Sequence, residues 1–234
     1  MTREGVAATE ARAPAGPPHD VVLPATIREA LPVFLRHGSP RVILAALAAA
    51  LVARVAVGGF GWMDLLPILA TSLFWPVQEW LIHVFILHYE PVTLLGRKLD
   101  FKVPILHRAH HRDPWKLDLV FIPIHVFAFV PLVVGGVALL GASRPELVAI
   151  GVLAYFALSL HYEWAHFMIH TLYRPRLGYY QRLARNHLLH HFRNEHYWYG
   201  VTMLRADGWL HTAPEPNAVP KSTTCLSILP QAGS

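Results

Sequence analysis

The chain has 234 residues, of which 54% are hydrophobic and only 15% are charged, and its net charge is +5. An ordinary soluble domain carries about a quarter charged residues, so the composition excludes such a domain as well as a disordered chain. The basic residues are interrupted by long apolar runs and form no basic amphipathic helix, which argues against nucleic acid and for an anionic membrane surface as partner. The single cysteine, Cys225, excludes a disulfide framework and a cysteine-based metal site.

The first segment of the chain, residues 1–36, is predicted to be a disordered or peripheral N-terminal tail. Its first twenty residues are rich in Ala, Pro and Gly and lack the short apolar core of a signal peptide. The folded domain is expected at residues 37–212, and residues 213–234 are expected to form a C-terminal tail.

Four apolar stretches follow the tail. A helix of about 20 residues, at 1.5 Å per residue, is needed to cross about 30 Å of hydrocarbon. Three stretches of this length cover residues 42–60, 65–87 and 119–140. The fourth begins near residue 147 and continues into a polar end at residues 161–170. Short connections that contain glycine join them in pairs, so the predicted fold is an all-α integral membrane protein with four transmembrane helices in two hairpins.

The distribution of positive charge predicts how these hairpins are oriented. Basic residues in short loops collect on the cytoplasmic side of a membrane. Eighteen of the 20 Lys and Arg residues fall on the side that carries both termini and the middle loop, and only Arg54 and Arg144 do not. Both termini and the loop at residues 90–116 are therefore expected in the cytoplasm.

Ten histidines lie near this same membrane face. Six of them form two H-x-x-H-H motifs, a spacing that puts three imidazoles on one side of a helix. The other four lie at the ends of the second and fourth apolar stretches. Imidazole nitrogens bind zinc, copper, iron or nickel, and ten of them are too many for one ion but suit two. The spacing alone thus predicts a metal site at the membrane surface. The ten residues are His83, His88, His107, His110, His111, His166, His170, His187, His190 and His191.

The sequences around these histidines resemble the histidine boxes of the fatty acid hydroxylase / sterol desaturase superfamily, and within it most nearly the fatty acid 2-hydroxylases. The resemblance extends past the last box to Asn194, Asp207 and Thr212, and it covers roughly residues 75–212. The segments that carry it are Glu79-Trp80-Leu81-Ile82-His83 with His88, His107-Arg108-Ala109-His110-His111, Tyr162-Glu163-Trp164-Ala165-His166 with His170, His187-Leu188-Leu189-His190-His191, and Gly200-Val201-Thr202.

The resemblance implies a four-helix membrane base under a cytosolic helical cap that holds a histidine-ligated dimetal centre. On this basis the ten histidines are assigned as metal ligands and catalytic residues, with two iron ions as cofactors and O2 as cosubstrate. Zinc can occupy the same sites in purified protein, because affinity at nitrogen ligands does not by itself favour iron. Glu79 and Glu163 are expected to accept hydrogen bonds from the outer imidazole nitrogens and so to fix their tautomers.

Three positions depart from the family pattern. Glu163 stands where Asp is more common, His211 replaces a Gly, and Pro114-Trp115-Lys116 replaces a Pro-Met-Asp. Lys116 exchanges an acid for a base close to the second box, which bears on the substrate more than on the metal. The sequence contains no His-Pro-Gly-Gly segment of the haem-binding domain that is fused to some relatives. Electrons are therefore expected from a separate protein.

The leading hypothesis is an oxidoreductase, a membrane di-iron monooxygenase that hydroxylates a lipid acyl chain at the carbon next to the carboxyl-derived carbon. A desaturase or a sterol or carotenoid oxidase of the same superfamily is an alternative. A metal transporter is a different class, but its ligands would lie near the membrane midplane rather than at one face. A zinc protease lacks support because no His-Glu-x-x-His occurs.

Aromatic residues in the apolar stretches have two possible roles. They either line an acyl channel or serve as packing and interface anchors, which is the more usual role of aromatic residues in membrane helices. The residues concerned are Phe74, Trp75, Phe85, Phe127, Tyr155 and Phe156.

Overall fold

The computed structural model describes residues 21–141 and 143–225. This part of the chain contains eight α-helices and one short β-hairpin. The predictions for residues 1–20 and 226–234 lie outside this part. The elements are α1 (Ile27–Arg36), α2 (Gly38–Val57), α3 (Leu65–Ile82), β1 (Val92–Leu94), β2 (Arg97–Leu99), α4 (Lys102–Arg112), α5 (Val130–Leu140), α6 (Pro145–Ile169), α7 (Gly178–Phe192) and α8 (Arg205–Trp209). Strands β1 and β2 pair antiparallel.

Four segments are long and apolar enough to cross a membrane. They are Gly38–Val57, Trp62–Leu87, Leu117–Leu140 and Pro145–Ile169. The predicted all-α fold class and its four membrane segments are thereby confirmed, with boundaries that differ from the predicted ones by a few residues. Helix α6 packs along α2 and α3, so the two hairpins form one bundle.

The third membrane segment is not the continuous helix that hydropathy predicts. Two 3₁₀ turns, Leu117–Leu119 and Ile124–Phe129, precede α5, and the chain between them is irregular. Pro123 has no N–H to donate, and the N–H of Ile122 donates to Oε1 of Glu163 at 3.1 Å instead of to a helical carbonyl. Irregular backbone is tolerated at membrane depth where such partners or a cavity line it.

The two hairpin loops lie at the end of the bundle away from the histidines. Arg54, which interrupts the apolar sequence of α2, is buried there and donates to the carbonyl of Gly58 at 2.5 Å and to Asp64 at 2.6 Å. Gly58 and Gly59 have φ angles of 68° and 64°, a left-handed conformation that favours glycine. The charge of Arg54 is therefore neutralised within the loop that it helps to close.

A cap, defined here as residues 88–116 and 170–225, covers the opposite end of the bundle. Helix α4 packs on the end of the second membrane segment, α7 on α6, and α8 on α3. Residues 213–225, predicted as part of a tail, fold back onto the cap. The N–H of Ser222 donates to the carbonyl of Arg193 at 2.9 Å, and Cys225 is buried.

Helix α1 shows that residues 27–36 of the predicted tail are ordered. The hydroxyl of Thr26 caps its first turn by accepting from the N–H of Glu29. Phe34 is buried in a cluster with Phe121 and Phe167, while the opposite face exposes apolar side chains. A short amphipathic helix of this kind is typical of a peripheral element at a membrane surface. The domain boundary at residue 37 stays a prediction.

Candidate metal centre

The structure brings all ten predicted histidines together, in two groups of five. Within each group, each of the five histidines contributes one ring nitrogen, and these five nitrogens all lie within 4.8 Å of one another. The first group contains His83, His88, His107, His111 and His190, and the second contains His110, His166, His170, His187 and His191. Two compact groups, rather than one, are the arrangement that two separate metal ions require.

Each H-x-x-H-H motif is divided between the two groups. In α4 the outer histidines, His107 and His111, belong to the first group and His110 belongs to the second. Helix α7 reverses this assignment, because its middle histidine, His190, belongs to the first group. Residues at i and i+4 lie one above the other on a helix, whereas i+3 is displaced to one side. Both cap helices therefore span the two groups and fix the distance between them.

A π-helical turn at His83–Leu87 aligns the end of the second membrane segment with that of α6. The N–H of His88 donates to the carbonyl of His83 at 3.0 Å, an i to i+5 bond. At the end of α6, His166 and the C-cap residue His170 are four positions apart and lie one α-helical turn from each other. A π turn contains one residue more than an α-helical turn. His83 and His88, which are five positions apart, therefore also lie on one side of their helix.

The ring nitrogens within the groups are spaced as metal ligands would be. In the first group the Nε2 atoms of four histidines form a closed ring with successive distances of 3.1, 3.1, 3.2 and 3.1 Å. The centre of a square with such sides lies about 2.2 Å from each nitrogen, close to the usual zinc–nitrogen bond of about 2.0–2.1 Å. In the second group, Nε2 of His187 is 3.0 Å from Nε2 of both His170 and His191.

These buried imidazoles are short of hydrogen-bond partners. Eight of the twelve buried side-chain nitrogen and oxygen atoms without a partner, among the described residues, belong to histidines of the two groups. Burial lowers the pKa of His111 to about 3 and holds the pKa of His110, His187 and His190 well below 6.5. The rings are therefore neutral, and their lone pairs converge. A cation would relieve this unfavourable arrangement, so the residues fit two metal ions.

Backbone carbonyls orient two rings of the first group. The Nδ1 atom of His83 donates to the carbonyl of Tyr199 at 2.6 Å, and Nδ1 of His190 donates to the carbonyl of Tyr197 at 2.8 Å. A carbonyl can only accept, so Nδ1 carries the proton in both rings and Nε2 keeps its lone pair. Sequence reasoning missed both contacts, since a backbone carbonyl leaves no mark on the residue type.

Glu79 fixes the loop that supplies these carbonyls. Its carboxylate accepts hydrogen bonds from the N–H of Val201, from the N–H of Thr202 at 2.8 Å, from the hydroxyl of Thr202 at 2.5 Å and from the indole of Trp75 at 3.0 Å. The expectation that Glu79 accepts from an imidazole is wrong, because these four donors occupy its oxygens. It acts on His83 only through the loop.

Asp207 holds the same loop from the other side. It accepts from the N–H groups of Tyr199 and Gly200, at 2.9 and 2.7 Å, and from the hydroxyl of Thr212 at 2.7 Å. A Cβ atom on Gly200 would lie only 2.9 Å from Oδ2 of Asp207 and 3.0 Å from the carbonyl of Met203. Only glycine allows the backbone to approach the carboxylate this closely.

Glu163 has a different role from the predicted one. Its Oε1 accepts from the N–H of Ile122, and its Oε2 is buried without a partner among the described residues. No imidazole donates to it in the part of the chain that the structure describes, so the predicted contact is wrong here too. The carboxylate instead supports the irregular backbone of the third membrane segment.

A cavity of about 660 Å³ extends from the histidines into the membrane-spanning bundle. At its cap end it is lined by His107 and His166, one residue from each group. Of the six aromatic residues considered from the sequence, four line it, namely Trp75, Phe127, Tyr155 and Phe156. Phe74 and Phe85 are 56% and 61% exposed and face away from it, as interface anchors would.

Comparison with known proteins decides the family. Residues 68–212, which include every histidine of the two groups, match the model of the fatty acid hydroxylase family. The match covers more than half of the chain. The chain belongs to the fatty acid hydroxylase family.

Two of the proteins to which this chain is similar are 2-hydroxylases. It is 27% identical over 161 residues to the fatty acid 2-hydroxylase of Mus musculus, and the match covers 64% of this chain and 40% of the mouse protein. It is 26% identical over 159 residues to dihydroceramide fatty acyl 2-hydroxylase FAH1 of Arabidopsis thaliana, with 66% of this chain and 64% of that protein covered. The chain thus spans less than two thirds of the length of either relative.

A solved structure shares the fold of this hydroxylase family member. Scs7p, of which the hydroxylase domain is visible, superposes with a TM-score of 0.60 over 85% of this chain and 70% of that chain, at 20% sequence identity. The likeness supports the architecture described above.

Two departures from the family pattern belong to neither histidine group. His211 has a φ angle of 57°, a left-handed conformation that favours glycine, and histidine is among the residues that tolerate it best after glycine. Lys116 is exposed, and it is not part of the described lining of the cavity. The base therefore faces the surroundings of the protein rather than the cavity.

Proposed function

We propose that this chain is a membrane hydroxylase that inserts one oxygen atom of O2 into a lipid acyl chain, at the carbon next to the carbonyl carbon. The observation that carries the proposal is the cavity within the membrane bundle, which ends on His107 of one histidine group and His166 of the other. A chain held in this cavity has its end beside both groups.

The ten histidines would hold two iron ions, five residues to each. When bound, such ions react with O2 to supply an oxidant strong enough for an unactivated C–H bond, which no side chain can provide. One oxygen atom enters the C–H bond and the other leaves as water, so each turnover consumes two electrons and two protons. We assign the supply of these electrons to a separate electron-transfer protein.

The walls of the cavity suit an acyl chain that enters from the bilayer. They are mostly apolar, and apart from His37, Val103, Leu106 and His107 they belong to the segments that cross the membrane. Three of the lining residues are also largely exposed on the outer surface: Ile86 (50%), Ile124 (55%) and Phe129 (64%). A chain dissolved in the membrane can pass between them without crossing water, and the same walls keep water away from the reacting carbon.

The names of the relatives support the position of the reaction. The mouse protein is a fatty acid 2-hydroxylase, and the Arabidopsis protein is a dihydroceramide fatty acyl 2-hydroxylase. Both names specify carbon 2 of an acyl chain. The loop at residues 197–202, which orients His83 and His190, contains the Gly200-Val201-Thr202 segment that the chain has in common with 2-hydroxylases.

We also propose that the cap and both termini are cytoplasmic, as the charge asymmetry predicts. Single cysteines at Gly61 and Ser143, after Cys225 is replaced, should react only with a membrane-impermeant maleimide added from the non-cytoplasmic side. Both positions are exposed in the loops opposite the cap. A cysteine at exposed Lys98 in the β-hairpin is the matched control and should react from the cytoplasmic side. Labelling of all three positions from one side would contradict the topology.

The proposed activity can be tested in cells. Expression of the chain with a compatible reductant should add a hydroxyl group to lipid acyl chains, detected by mass spectrometry of the extracted lipids. A variant with alanine at both His107 and His166 should leave the lipids as they are in cells without the gene. New double bonds with no hydroxyl, or an altered sterol or carotenoid with unchanged acyl chains, would overturn the proposal.

A further inference from the structure

The β-hairpin of the cap presents an apolar face to the surroundings of the protein. Every residue of its two strands is exposed. Cross-strand partners share a face of a hairpin. The two pairs on one face are Val92 with Leu99 and Leu94 with Arg97. The other face carries Thr93 opposite Lys98, so the hairpin is amphipathic and none of the described residues covers its apolar face.

Leu95, at the tip of the hairpin, has an unfavourable backbone conformation. The two residues between the strands, Leu95 and Gly96, have φ angles of 51° and 73°. A two-residue loop of this kind prefers Asn, Asp or Gly at its first position, since a bulky side chain crowds a left-handed backbone. Leu95 is 94% exposed, so no packing within the described chain offsets this strain. A partner outside the chain accounts for a leucine at this position.

We propose that the hairpin inserts its apolar face and Leu95 into the bilayer leaflet on the cap side of the membrane. Only residues 88–91 separate it from Leu87, where the second membrane segment ends. That segment exposes apolar side chains up to this end, at Phe85 and Ile86. The hairpin thus continues a surface that faces lipid. Amphipathic elements at a membrane surface bury their apolar face about 5–10 Å into the boundary between headgroups and acyl chains.

Contacts at the base of the hairpin hold it against the membrane end of the cap. Arg108 of α4 donates to the two oxygens of Asp100, at 2.7 and 2.6 Å, and to the carbonyl of Tyr89 at 2.9 Å. The rings of Phe101 and Tyr89 pack together, with centroids 5.3 Å apart. The chain before the hairpin is thereby tied to the chain after it and to α4. A two-stranded hairpin needs such support, because it is marginally stable alone.

Positive charges on the hairpin and beside it select the kind of lipid. Arg97, Lys98 and Lys102 are exposed, whereas Asp100, the acidic residue among them, is paired with Arg108 at 2.6 Å. The aliphatic part of a basic side chain can lie along apolar surface while its charge reaches the headgroups. Each basic residue near an anionic lipid surface strengthens binding about fivefold. The partner that fits is therefore a leaflet that contains anionic phospholipid.

Spin labels measure the depth of the hairpin directly. In a Cys225→Ser background, a nitroxide is attached to Leu95→Cys at the tip, to Lys98→Cys as the matched control on the polar face, or to Leu69→Cys in the second membrane segment. The protein is loaded with zinc, which is not paramagnetic, and placed as a single copy in nanodiscs of phosphatidylcholine and phosphatidylglycerol. The labels at positions 95 and 69 should collide more often with O2, which concentrates in lipid, than with a nickel chelate, which stays in water. The label at position 98 should show the reverse order.

A second variant separates a membrane anchor from a residue that serves only the turn. Leu95→Asn supplies a side chain that the turn prefers, so a purely local role predicts no change in the depth of the hairpin. If Leu95 is an anchor, the substitution should move a label at Leu94→Cys towards water and raise its collision rate with the nickel chelate. An unchanged collision rate would contradict the role of Leu95.

Three further outcomes would overturn the proposal. Equal collision rates with the nickel chelate at positions 95 and 98 would place the whole hairpin in water. Protection of position 95 only in nanodiscs that hold two copies would make a second copy of this chain the occupant of the apolar face. Equal collision rates at position 95 with and without phosphatidylglycerol would contradict the selection of anionic lipid. The proposed hydroxylation does not depend on any of these results.

Discussion

Replacing His190 with alanine should remove one of two metal ions per chain and abolish hydroxylation. The Nε2 atom of His190 is one corner of the nitrogen ring in the first histidine group, at 3.1 Å from His88 and 3.2 Å from His111. Loss of partners that merely orient a ligand typically costs about 10- to 100-fold in metal affinity or activity, and loss of a ligand itself should cost more. Metal content by elemental analysis and turnover of an acyl lipid measure the two effects.

The complementary substitution separates the two groups. His187→Ala should remove the other ion, because His187 lies 3.0 Å from both His170 and His191 in the second group. His196→Ala is the control, since that imidazole is 64% exposed and belongs to neither group. A His190→Ala protein that keeps two ions and full activity would remove His190 from the proposed ligands.

Glu79→Ala should be the most damaging substitution outside the histidines. It leaves three buried donors without their acceptor, namely the N–H groups of Val201 and Thr202 and the hydroxyl of Thr202, while the indole of Trp75 keeps the hydroxyl oxygen of Thr202 as acceptor. A buried unsatisfied donor costs about 1–3 kcal/mol, so several together are a large part of the 5–15 kcal/mol by which proteins are typically stable. We expect a marked fall in the midpoint of thermal unfolding, followed by tryptophan fluorescence.

Metal affinity gives a second measurement on the same variant. The loop freed by Glu79→Ala also carries the carbonyl that orients His83, so protein that still folds should bind metal at the first group about 10- to 100-fold more weakly. Glu90→Ala, at an exposed position in the cap, should change neither quantity. An unfolding midpoint and a metal affinity equal to those of the wild type would contradict the role given to Glu79.

The membrane segments and the set of clustered histidines were predictable because both depend on local patterns. Hydropathy over about 20 residues locates a span wherever the helix is continuous, and the four predicted spans agree with the structure to within a few residues. The helical spacing of His107, His110 and His111 places the three rings near one another whatever the rest of the fold does. Their division between two groups was not predictable, since it depends on where α7 lies beside α4.

Long-range partners account for the rest of what the sequence did not predict. The break in the third span relies on Glu163, 41 residues away from Ile122. The partner of His83 is the carbonyl of Tyr199, 116 residues away, and Glu79 binds the adjacent loop at a separation of 122 residues. Both carboxylates were expected to contact imidazoles because each lies about one helical turn from a histidine. Proximity along a helix did not fix the direction of either side chain.

The most direct test of the account is the position and origin of oxygen in the product. Purified protein, loaded with iron and supplied with an electron donor under isotopically labelled O2, should convert an acyl lipid to a 2-hydroxy lipid that carries the label in its new hydroxyl. Mass spectrometry with fragmentation of the acyl chain locates the group. A hydroxyl without label, or a new double bond in place of the hydroxyl, would contradict the assignment of these two histidine groups to acyl 2-hydroxylation.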